Sequence, residues 1–426
     1  MNSKVNQAEK LDPVDKRSKV FPSSDFLRLY AIFTGQMGIF PWQLMFERNK
    51  TYQNLYNLYS KLILSYYMYV TVSMWLALVF LCLEDTLRIP EITKNITVSV
   101  ICTVTIIRLF VMKLHPAFLR NITFIIDAEQ YILSSNDAEV HRIYKNCKII
   151  SNRHTIFFIV LSYLMALFIS LRPFFTDAYE INYKNESLQI TSLPLSIWVP
   201  LNEQEHFLSV YFWNVLNNLV MTSIVLSIDI ITFLLLIYPV GQLQILHHIL
   251  SKFENYKNRM KLNYPGLDDD TIGAITLKAC IDLHRNIIAY VDDLNACMNI
   301  FMVVDFAQSS LLLTSVFAQL LWVEPSITFY GFVFMYVTYL NQRLFMNYYY
   351  SNEVWLLSEN LNLSVWKSNW YEQSHYVKFM IYFFIMRTRK SLKFKIGPFG
   401  FMNLSTYIAI LKASYSYIAL LHSTQK

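Results

Sequence analysis

The sequence predicts an all-α membrane protein with seven transmembrane helices, and its composition carries that prediction. Hydrophobic residues make up 54% of the 426 residues, and aromatic residues alone reach 16%. Charged residues make up 15%, against roughly 25% in soluble domains. So few charges cannot give this much apolar surface a polar exterior. The same numbers exclude a disordered chain, and five cysteines at irregular spacing exclude a disulfide-rich secreted module.

The N-terminal region, residues 1–61, is predicted to be cytoplasmic and to carry one helix on the membrane surface. Residues 1–19 are polar and lack the apolar core of a signal peptide. In the stretch 21–40, apolar residues such as Phe26 and Tyr30 recur at helical spacing. This stretch is too polar to cross a bilayer, and it suits an amphipathic helix at the interface.

Seven apolar segments follow, most of them long enough to cross the ~30 Å of bilayer hydrocarbon. The predicted spans are 62–83, 96–114, 155–171, 208–240, 300–323, 327–340 and 399–421. The sixth is the shortest, because Asn341, Gln342 and Arg343 interrupt it. After the N-terminal region, the predicted regions are 62–240 with spans one to four, 241–299, 300–340 with spans five and six, 341–398, and 399–426 with the last span.

The distribution of lysine and arginine predicts which way the spans run. Of the 36 lysine and arginine residues, 28 fall in the N-terminal region and in the connections after spans two, four and six. Only four fall in the alternate set of connections. Because cytoplasmic connections carry the excess of positive charge, we predict a cytoplasmic N-terminus and an extracellular C-terminus. This orientation excludes a G-protein-coupled receptor, whose N-terminus lies outside. A glycosylation tripeptide that begins at Asn185 falls in a predicted outer loop and agrees.

The sequence lacks the patterns on which enzyme and cofactor sites depend. His247 and His248 stand without the HExxH pattern of a zinc hydrolase, and neither GxxxxGKS/T nor GxGxxG occurs among the eight glycines. No GxSxG nucleophile elbow occurs either. We therefore predict no enzyme activity, no cofactor and no metal site. The cytoplasmic connections account for the net charge of +6, so we expect no nucleic-acid partner.

The ionisable residues within the predicted spans include Arg108, Asp229, Asp305 and Lys412. Such groups are costly in a bilayer and are usually paired or functional. Arg108 and Asp229 fall at similar depth in spans two and four, so a pair between them is geometrically possible. Such a pair is either a structural salt bridge or a part of a transport path.

The cytoplasmic connections are predicted to continue the spans as helices. Apolar stripes in 241–299 extend spans four and five, and the stretch 341–370 extends span six. The apolar run 379–386 is too short to cross a bilayer. We predict that it forms a cytoplasmic helix buried against protein, or a re-entrant piece, before the last span. Protruding apolar stripes need partners, which either other subunits or the chain itself supply.

The last span mixes hydroxyl groups and a lysine into an apolar helix. Ser405, Lys412, Ser416 and Leu420 fall near one helical face. If this face turned toward a shared axis, it would line a water-filled path, and Leu420 would act as a gate that closes by dewetting. The alternative is that the hydroxyl groups bond across helices as packing contacts.

The C-terminal region carries a resemblance to a known family. The stretches 390–392 (KSL), 397–399 (GPF) and 410–417 (ILKASYSY) resemble the signature of insect odorant receptors, and the architecture of the whole chain is similar. Gustatory receptors share the fold, but the Thr406–Tyr407 pair lacks the Gln-Phe that follows in their last span. The connection between spans four and five is shorter than in the family's shared co-receptor. The chain therefore looks like a ligand-tuning subunit.

The resemblance implies an odorant-gated, non-selective cation channel in the plasma membrane of sensory-neuron dendrites. The implied partners are odorant co-receptor subunits in a hetero-oligomer of four subunits around one pore, a small hydrophobic volatile, and membrane lipids. The helices of 241–299 and 341–398 would form the anchor between subunits. The last helix would line the pore. The implied pore and gate residues are Lys412, Ser416, Tyr417, Leu420 and Thr424.

The resemblance also implies an odorant pocket in the outer half of the membrane, among spans two to six. Matched by depth, the candidate ligand-binding residues are Ser99, Cys102, Tyr163, Met165, Asn214, Asn218, Met221, Phe317, Phe329, Phe332 and Tyr336. A mostly aromatic pocket with few polar groups fits an apolar volatile that carries one hydrogen-bonding group. Each of these residues has an alternative role as a packing or lipid-facing side chain.

Two rival functions belong to other classes of protein. A secondary transporter predicts internal repeats and helices broken by Gly or Pro at the bilayer centre, and we find neither pattern in the sequence. A homomeric gustatory-type channel for a soluble tastant would conduct without a co-receptor. Currents from the chain expressed alone would favour that second rival.

Overall fold

The computed structural model describes most of the chain as a helical bundle. The described residues are 24–45, 49–83, 89–135, 137–174, 179–183, 186–190, 193–200, 205–322 and 327–424. Some side chains within these ranges fall outside the description, and five of them belong to predicted site residues. Those five are Phe317, Phe329, Tyr417, Leu420 and Thr424. Asn185, in the predicted glycosylation tripeptide, also lies outside the described residues.

The described residues are mainly helical, as predicted. In chain order the helices are α1 (Arg28–Gln36), α2 (Trp42–Met45), α3 (Lys50–Leu83), α4 (Ile89–Leu114), α5 (Pro116–Ser134), α6 (Ala138–Leu171), α7 (Phe207–Ser251), α8 (Phe253–Asn263), α9 (Asp269–Trp322), α10 (Ile327–Glu359), α11 (Leu361–Trp366), α12 (His375–Thr388) and α13 (Leu404–Thr424). One antiparallel hairpin, β1 (Tyr179–Tyr183) with β2 (Glu186–Ile190), lies between α6 and α7. The sequence did not predict this hairpin.

The long helices contain the predicted spans. Within the described residues, α3, α4, α6 and α7 are long and apolar enough to cross a membrane, and α9 adds a fifth span if its two parts, bent by 51°, count as one. The predicted sixth and seventh spans lie in α10 and α13. The last helix begins later than predicted, at Leu404 rather than at residue 399. Gly400 adopts a φ of 118° just before it, which interrupts a regular helix.

Helices continue beyond three of the spans, as the apolar stripes predict. At the end of span four, α7 extends to Ser251, and before span five α9 already begins at Asp269. Beyond span six, α10 extends to Glu359. These extensions bury residues such as Leu246 and Leu294 completely. The chain itself therefore covers a large part of the stripes.

The apolar run 379–386 lies within α12, which packs one face on α9. Val377 and Ile381 are buried on that face. On the opposite face, Phe379 is 57% exposed and Tyr382 is 59% exposed. The helix is therefore only half buried, and it presents an aromatic face that this chain alone does not cover.

The bundle is built around α7. The most apolar stretch of α7 is 89% buried, against 39% in each of α3 and α6. A helix that is hydrophobic on all sides belongs in the centre of a bundle. The apolar side chains that α3 and α6 expose, such as Leu62 and Phe157, lie on the outside, where a bilayer would contact them.

The N-terminal helix α1 forms where the sequence predicts a helix, but its apolar stripe faces protein. Phe26 and Tyr30 are buried, and the Tyr30 hydroxyl lies 2.9 Å from that of Thr155 in α6. The Glu129 carboxylate in α5 accepts the backbone N–H groups of Asp25 and Phe26. The stripe that we expected to turn toward the membrane interface is instead held inside the bundle, because it fits against α7 and these polar partners. The position of α1 relative to a membrane stays a prediction.

Candidate functional site

The two ends of the bundle are named here by the predicted orientation. The outer end carries β1 and β2, and the inner end carries α5, α8 and α12. Helices α4, α7 and α10 run from the outer end to the inner end, and α3, α6, α9 and α13 run in the opposite direction. Since a helix rises about 1.5 Å per residue, sequence position along each helix gives the depth of a side chain.

Two of the predicted pocket residues tie α6 to α7. The Asn218 side-chain amide donates to the Ala166 carbonyl at 2.8 Å and to the Ser170 hydroxyl at 3.0 Å. The Tyr163 hydroxyl lies 2.8 Å from the Ser223 hydroxyl. These bonds satisfy the polar groups inside the protein. Asn218 and Tyr163 therefore have a packing role in this structure.

Asn214, one turn further out on α7, is satisfied only in part. Its side chain is completely buried, and its Nδ2 donates to the Val210 carbonyl at 2.9 Å. Its Oδ1 is buried and has no hydrogen-bond partner in the described part of the chain. A buried acceptor of this kind is available to a ligand that carries a donor.

Ser99 and Cys102 of α4 are both buried, at 0% and 1% exposure. The Ser99 hydroxyl donates to the Asn95 side chain of the same helix at 3.0 Å. Met165 of α6 and Met221 of α7 are each 4% exposed and contribute apolar surface to the core. These four residues line the interior of the bundle, as the sequence predicts for a pocket wall or for a packed core.

On α10, Phe332 and Tyr336 form a stacked aromatic pair. Their ring centroids lie 5.8 Å apart, and the Arg172 guanidinium lies 5.2 Å from the Phe332 centroid on the outer side. Tyr336 is 7% exposed, and its hydroxyl is buried without a hydrogen-bond partner among the described residues. A phenol group in this state is costly, and it is placed where the sequence predicts ligand contact.

The predicted pocket residues thus share one buried interior rather than being scattered over the surface. Cys102, Met165, Met221 and Tyr336 belong to a single contiguous hydrophobic core, with Tyr163 and Phe332 packed against it. The positions of Phe317 and Phe329 lie on α9 and α10, and their side chains are outside the description. Among the described members, the side chains of Ser99, Tyr163 and Asn218 form hydrogen bonds. The Asn214 Oδ1 and the Tyr336 hydroxyl are buried without a partner in the described part of the chain.

The polar stripe of α13 faces away from the rest of the chain. Ser405, Lys412 and Ser416 are exposed, and the Ser416 hydroxyl donates to the Lys412 carbonyl at 2.9 Å. On the other side of the helix, Ile410 and Ser414 are buried against the bundle. The three exposed residues are therefore free to line a path shared with other subunits.

A buried ionic network joins four helices at the inner side of the predicted pocket. Arg108 Nη1 lies 2.6 Å from Asp229 Oδ1 and 3.8 Å from Asp305 Oδ1. Arg343 donates through Nε to Asp229 Oδ2 at 3.1 Å and pairs through Nη2 with Asp305. All four side chains are at most 6% exposed. Two positive and two negative charges balance, so no net charge is buried.

Sequence reasoning found half of this network. The pair between Arg108 and Asp229 was considered, but Arg343 was treated only as an interruption of span six. The signal was present, since spans two, four and five held one arginine against two carboxylates. Because unpaired charges in a bilayer are costly, the second carboxylate, Asp305, required another cation at the same depth.

The segment between α12 and α13 is pinned to α9. The Asn295 side chain donates to the Lys393 carbonyl at 2.9 Å and accepts the Lys395 N–H at 3.0 Å. One turn further along α9, the Asn299 side chain accepts the Gly397 N–H at 2.8 Å. We call residues 392–402 the linker. Its backbone is bonded to two asparagine side chains of α9, and it leads directly into α13.

The linker is also attached to α10, and it leaves no room for a side chain at Gly397. The Leu392 N–H donates to the Ser358 hydroxyl at 2.8 Å. Gly397 has a φ of 47°, and a Cβ there would lie 2.4 Å from Cγ2 of Val303 in α9. The Lys393 ammonium lies 3.9 Å from the centroid of the Trp355 ring. Sequence reasoning singled out Gly397 only as part of the C-terminal signature.

No metal centre emerges from the described residues, since none of them form a group of three or more His, Cys, Asp or Glu side chains able to hold an ion. The family of the protein is shown instead by comparison with known proteins. The 7tm Odorant receptor family model matches residues 88–415 of the chain. The chain belongs to this family.

Individual relatives of this odorant receptor are distant. Odorant receptor 10 of Aedes albopictus is 29% identical over 141 residues, which cover 32% of this chain and 36% of that receptor. Odorant receptor 30a of Drosophila melanogaster is 25% identical over 192 residues, which cover 45% of this chain and 47% of that receptor. The matched segments thus span less than half of each of these relatives.

The fold agrees with solved receptor structures. The insect olfactory receptor OR5 of Machilis hrabei in complex with eugenol superimposes with a TM-score of 0.72 at 18% sequence identity, and the match covers 94% of this chain and 98% of that one. A second solved structure of the same receptor superimposes with the same TM-score. At this identity the likeness supports the fold alone. The family and the all-α, seven-transmembrane fold class predicted from the sequence are confirmed, and this odorant receptor is a multi-pass membrane protein.

Proposed function

We propose that this odorant receptor is the ligand-tuning subunit of an odorant-gated, non-selective cation channel. A small hydrophobic volatile binds in the outer half of the bundle, and its binding opens a central pore. The subunit works with odorant co-receptor subunits, in a tetramer, in the plasma membrane of a sensory neuron. Each of these statements extends the family assignment and rests on the features argued below.

The observation that carries the proposal is the Tyr336 hydroxyl. It is buried without a hydrogen-bond partner among the described residues, next to the stacked Phe332 ring. Leaving a buried polar group unsatisfied costs about 1–3 kcal/mol. A ligand that bonds to this hydroxyl recovers that free energy. The Asn214 Oδ1, which is also unpartnered among the described residues, extends the same argument to α7.

These two groups narrow the chemical class of the ligand. A ligand for this interior is mainly apolar, because the surrounding side chains are, and it carries a group that donates to an amide oxygen or bonds to a phenol. A volatile alcohol or phenol meets both conditions. Eugenol, which is bound in the olfactory receptor OR5 of Machilis hrabei, is a small phenol. The proposed class agrees with that complex.

Ligand binding must favour the open state in order to shift the channel. The two helices that flank the predicted pocket, α9 and α10, also hold the linker through Asn295, Asn299 and Ser358. A displacement of α9 or α10 therefore moves the start of α13. In the proposed mechanism, this movement draws α13 away from the central axis and opens the pore.

The proposed pore is lined by the exposed stripe of α13. Lys412 and Ser416 line its wall together with Tyr417, and Leu420 closes it near the outer end by dewetting. Thr424 stands at the second gate position, where a hydroxyl seals less well than the apolar residue of the co-receptor. This difference favours a mixed tetramer in which the co-receptor supplies the tighter part of the ring.

The proposed anchor between subunits is at the inner end. The α12 face that carries Phe379, Tyr382 and Phe383 is between 53% and 59% exposed in the single chain. An aromatic face of this kind is typical of protein interfaces. Burial of this face against neighbouring subunits would hold the tetramer together while α13 moves.

The test is to record currents from cells that express this chain alone, the co-receptor alone, or both, during application of volatile alcohols, phenols, esters and terpenoids. The proposal predicts an odorant-evoked, cation-selective current that appears only when both are present and that includes a response to alcohols or phenols. Evoked current from this chain alone would point to the homomeric, gustatory-type rival. Surface expression without any evoked current in the pair would overturn the proposal.

A further inference from the structure

Lys113 is a cation at membrane depth that pairs with no carboxylate among the described residues, unlike Lys94 and Arg108 on the same helix. It lies one residue before the inner end of α4, and its Nζ donates to the Ser60 hydroxyl of α3 at 2.5 Å. In the described chain it forms no ion pair with a carboxylate. By contrast, Lys94 pairs with Glu91 at 2.6 Å at the other end of the same helix, and Arg108 belongs to the buried ionic network.

The surroundings of Lys113 are those of a lipid-facing surface. Its neighbours Phe110 and Leu114 are 38% and 77% exposed, and Leu62 on α3 is 61% exposed. Exposed apolar side chains of this size on the outside of a membrane bundle contact acyl chains. Lys113 is therefore a positive charge beside an apolar surface, close to the level at which a helix leaves the membrane.

A shallow pocket lies directly beside this ammonium group, where α3, α4 and α7 meet the chain after α1. Its walls are mainly aliphatic, with Ile63, Leu64, Leu109 and Ile224, and Lys113 is the one charged group that lines it. The pocket thus combines an apolar interior with a cation. That combination matches an amphiphile with an anionic head and a hydrocarbon tail.

The floor of the pocket is rigid. The Ser60 hydroxyl donates to the Gly38 carbonyl at 2.5 Å, and the Tyr59 hydroxyl donates to the Gln36 carbonyl at 2.5 Å. Gly38 has a φ of 66°, and a Cβ there would lie 2.8 Å from Cα of Ser60. These contacts clamp the chain after α1 onto α3. A prebuilt site requires little ordering when it binds a ligand.

We propose that the groove between α3 and α4 at the inner end binds an anionic phospholipid of the cytoplasmic leaflet. The phosphate accepts hydrogen bonds from the N–H groups of Lys113 that Ser60 does not use, and one acyl chain covers the aliphatic mouth of the pocket. The pocket is too small to admit this chain, so the rest of it lies along the exposed surface beside Leu62. The leaflet follows from the predicted orientation, and the site does not depend on odorant binding or on conduction.

The experiment measures the thermal unfolding midpoint of the full chain, purified in detergent, during titration with phosphatidylserine, phosphatidylcholine or inorganic phosphate. Phosphatidylserine is expected to raise the midpoint, with little effect from the other two. Lys113→Gln is expected to weaken the response to phosphatidylserine about fivefold in concentration, since one lysine near an anionic surface contributes about 1 kcal/mol. Lys113→Arg should preserve the response.

Two further variants keep the result interpretable. Lys145→Gln is the matched control, because Lys145 is an exposed lysine on α6 outside the pocket, and it should leave the titration unchanged. Leu109→Trp fills the aliphatic part of the pocket and should weaken the response to phosphatidylserine while Lys113 is intact. An equal response in wild type and Lys113→Gln would overturn the site. If phosphatidylcholine raised the midpoint as much as phosphatidylserine does, the headgroup charge would have no role. If inorganic phosphate alone did so, the site would bind a soluble anion and not a lipid.

Discussion

The ionic network in the inner half and the predicted pocket in the outer half treat their buried polar groups in opposite ways. In the network, Arg108, Arg343, Asp229 and Asp305 are charged, and each contacts a partner of opposite sign. In the pocket, the polar groups are neutral, and the Tyr336 hydroxyl finds no partner among the described residues. The network balances its charges within the chain, and the pocket leaves bonds to be made.

We call the ionic network the frame, because it resists movement, and the predicted pocket the sensor, because a ligand can change it. Moving one of these helices relative to the others at the network would pull opposite charges apart in a medium of low dielectric constant. The network therefore joins α4, α7, α9 and α10 at that depth, and a displacement of α9 or α10 turns about this point. An unsatisfied neutral group costs less, and a ligand can satisfy it. Binding in the outer half is then felt at the linker, because α9 and α10 pass through both halves. The predictions that follow test this separation.

Removal of one charge from the network should have the largest effect. Asp229→Asn leaves two buried arginines against a single carboxylate, and we expect the free energy of unfolding to fall by about 3–5 kcal/mol. The measurement is thermal unfolding of the purified, fluorescently tagged chain, together with surface labelling in cells. Most of the variant should fail to reach the surface.

The matched control for this charge removal is Asp293→Asn. The Asp293 carboxylate also pairs with an arginine, Arg120, at 2.6 Å, but those side chains are 32% and 56% exposed. Exposed ion pairs contribute little to stability, so this variant should unfold close to the wild type. If both variants lost the same stability, the buried network would contribute no more than an exposed ion pair, and it could not be what holds the four helices together.

A side chain at Gly397 should have the next largest effect, because it separates the linker from α9. Gly397→Ala combines an unfavourable φ of 47° with a Cβ only 2.4 Å from Val303. We expect a loss of about 1–3 kcal/mol and a reduced odorant-evoked current in cells that also express the co-receptor. Thermal unfolding and dose–response recordings measure the two effects separately.

Gly331→Ala is the control for the linker variant, since a Cβ at Gly331 would meet no atom within 4 Å. In a helix this change is neutral or stabilising. The double variant Gly397→Ala with Val303→Ala removes the close contact but not the strained φ, and it should recover part of the loss. Wild-type current from Gly397→Ala at full surface expression would contradict a role of the linker in gating.

The sequence predicted the helices well because their signal is local. Apolar runs and stripes within one helix predicted the spans and also the extension of α9 back to Asp269. What it missed depends on partners far along the chain. The Asn299 contact with Gly397 joins residues 98 positions apart, and Arg343 meets Asp229 across 114 positions. A single sequence indicates such contacts only where charge balance requires them, as for Arg343, and it gives no sign of the Asn299 contact.

The burial of the candidate pocket residues could be predicted for a similar reason. Depth along a helix follows from counting residues, so buried positions such as Cys102 and Tyr336 were found. Whether a polar group is satisfied depends on its neighbours, so the different states of Tyr163 and Tyr336 were not predictable. The same limit explains α1, whose apolar stripe suits a membrane surface and the interior of a bundle equally.

Removal of the Tyr336 hydroxyl tests the outer half of the comparison. Tyr336→Phe removes a buried group without a partner in the described residues, so we expect the free energy of unfolding to stay unchanged or to rise by up to about 1–3 kcal/mol. The half-maximal concentration for a volatile alcohol or phenol should rise about tenfold, since one lost hydrogen bond is worth about 1–1.5 kcal/mol. The response to a hydrocarbon odorant should change little.

Tyr163→Phe provides the contrast for the Tyr336 variant. The Tyr163 hydroxyl bonds to Ser223 at 2.8 Å, so its removal should lower stability by about 1 kcal/mol without selective loss of alcohol or phenol responses. If Tyr336→Phe instead lost stability and kept its responses, the hydroxyl would belong to the frame, and the division between the two halves would fail.

The smallest predicted effect is at the water-exposed inner edge, where the N-terminus of α6 is capped by Asp137. Its carboxylate accepts the N–H groups of Glu139 and Val140 at 2.9 and 3.3 Å, and Arg259 Nη1 at 2.7 Å. Asp137→Ala should cost about 1 kcal/mol and leave odorant responses unchanged, because it touches neither the ionic network nor the linker.

The pH dependence of this cap has a definite sign. Burial alone would raise the pKa of Asp137, but hydrogen bonds from the Tyr256 hydroxyl, the Val140 and Glu139 N–H groups and Arg259 outweigh it and lower the pKa below its ordinary value. The contribution is thus complete above the unfolded pKa of about 3.9 and is lost as the pH falls through the lowered value. The unfolding midpoints of wild type and Asp137→Ala should therefore differ equally at pH 7 and pH 5 and converge only in stronger acid. Convergence already between pH 7 and pH 5 would show that another group, and not this carboxylate, controls the inner edge.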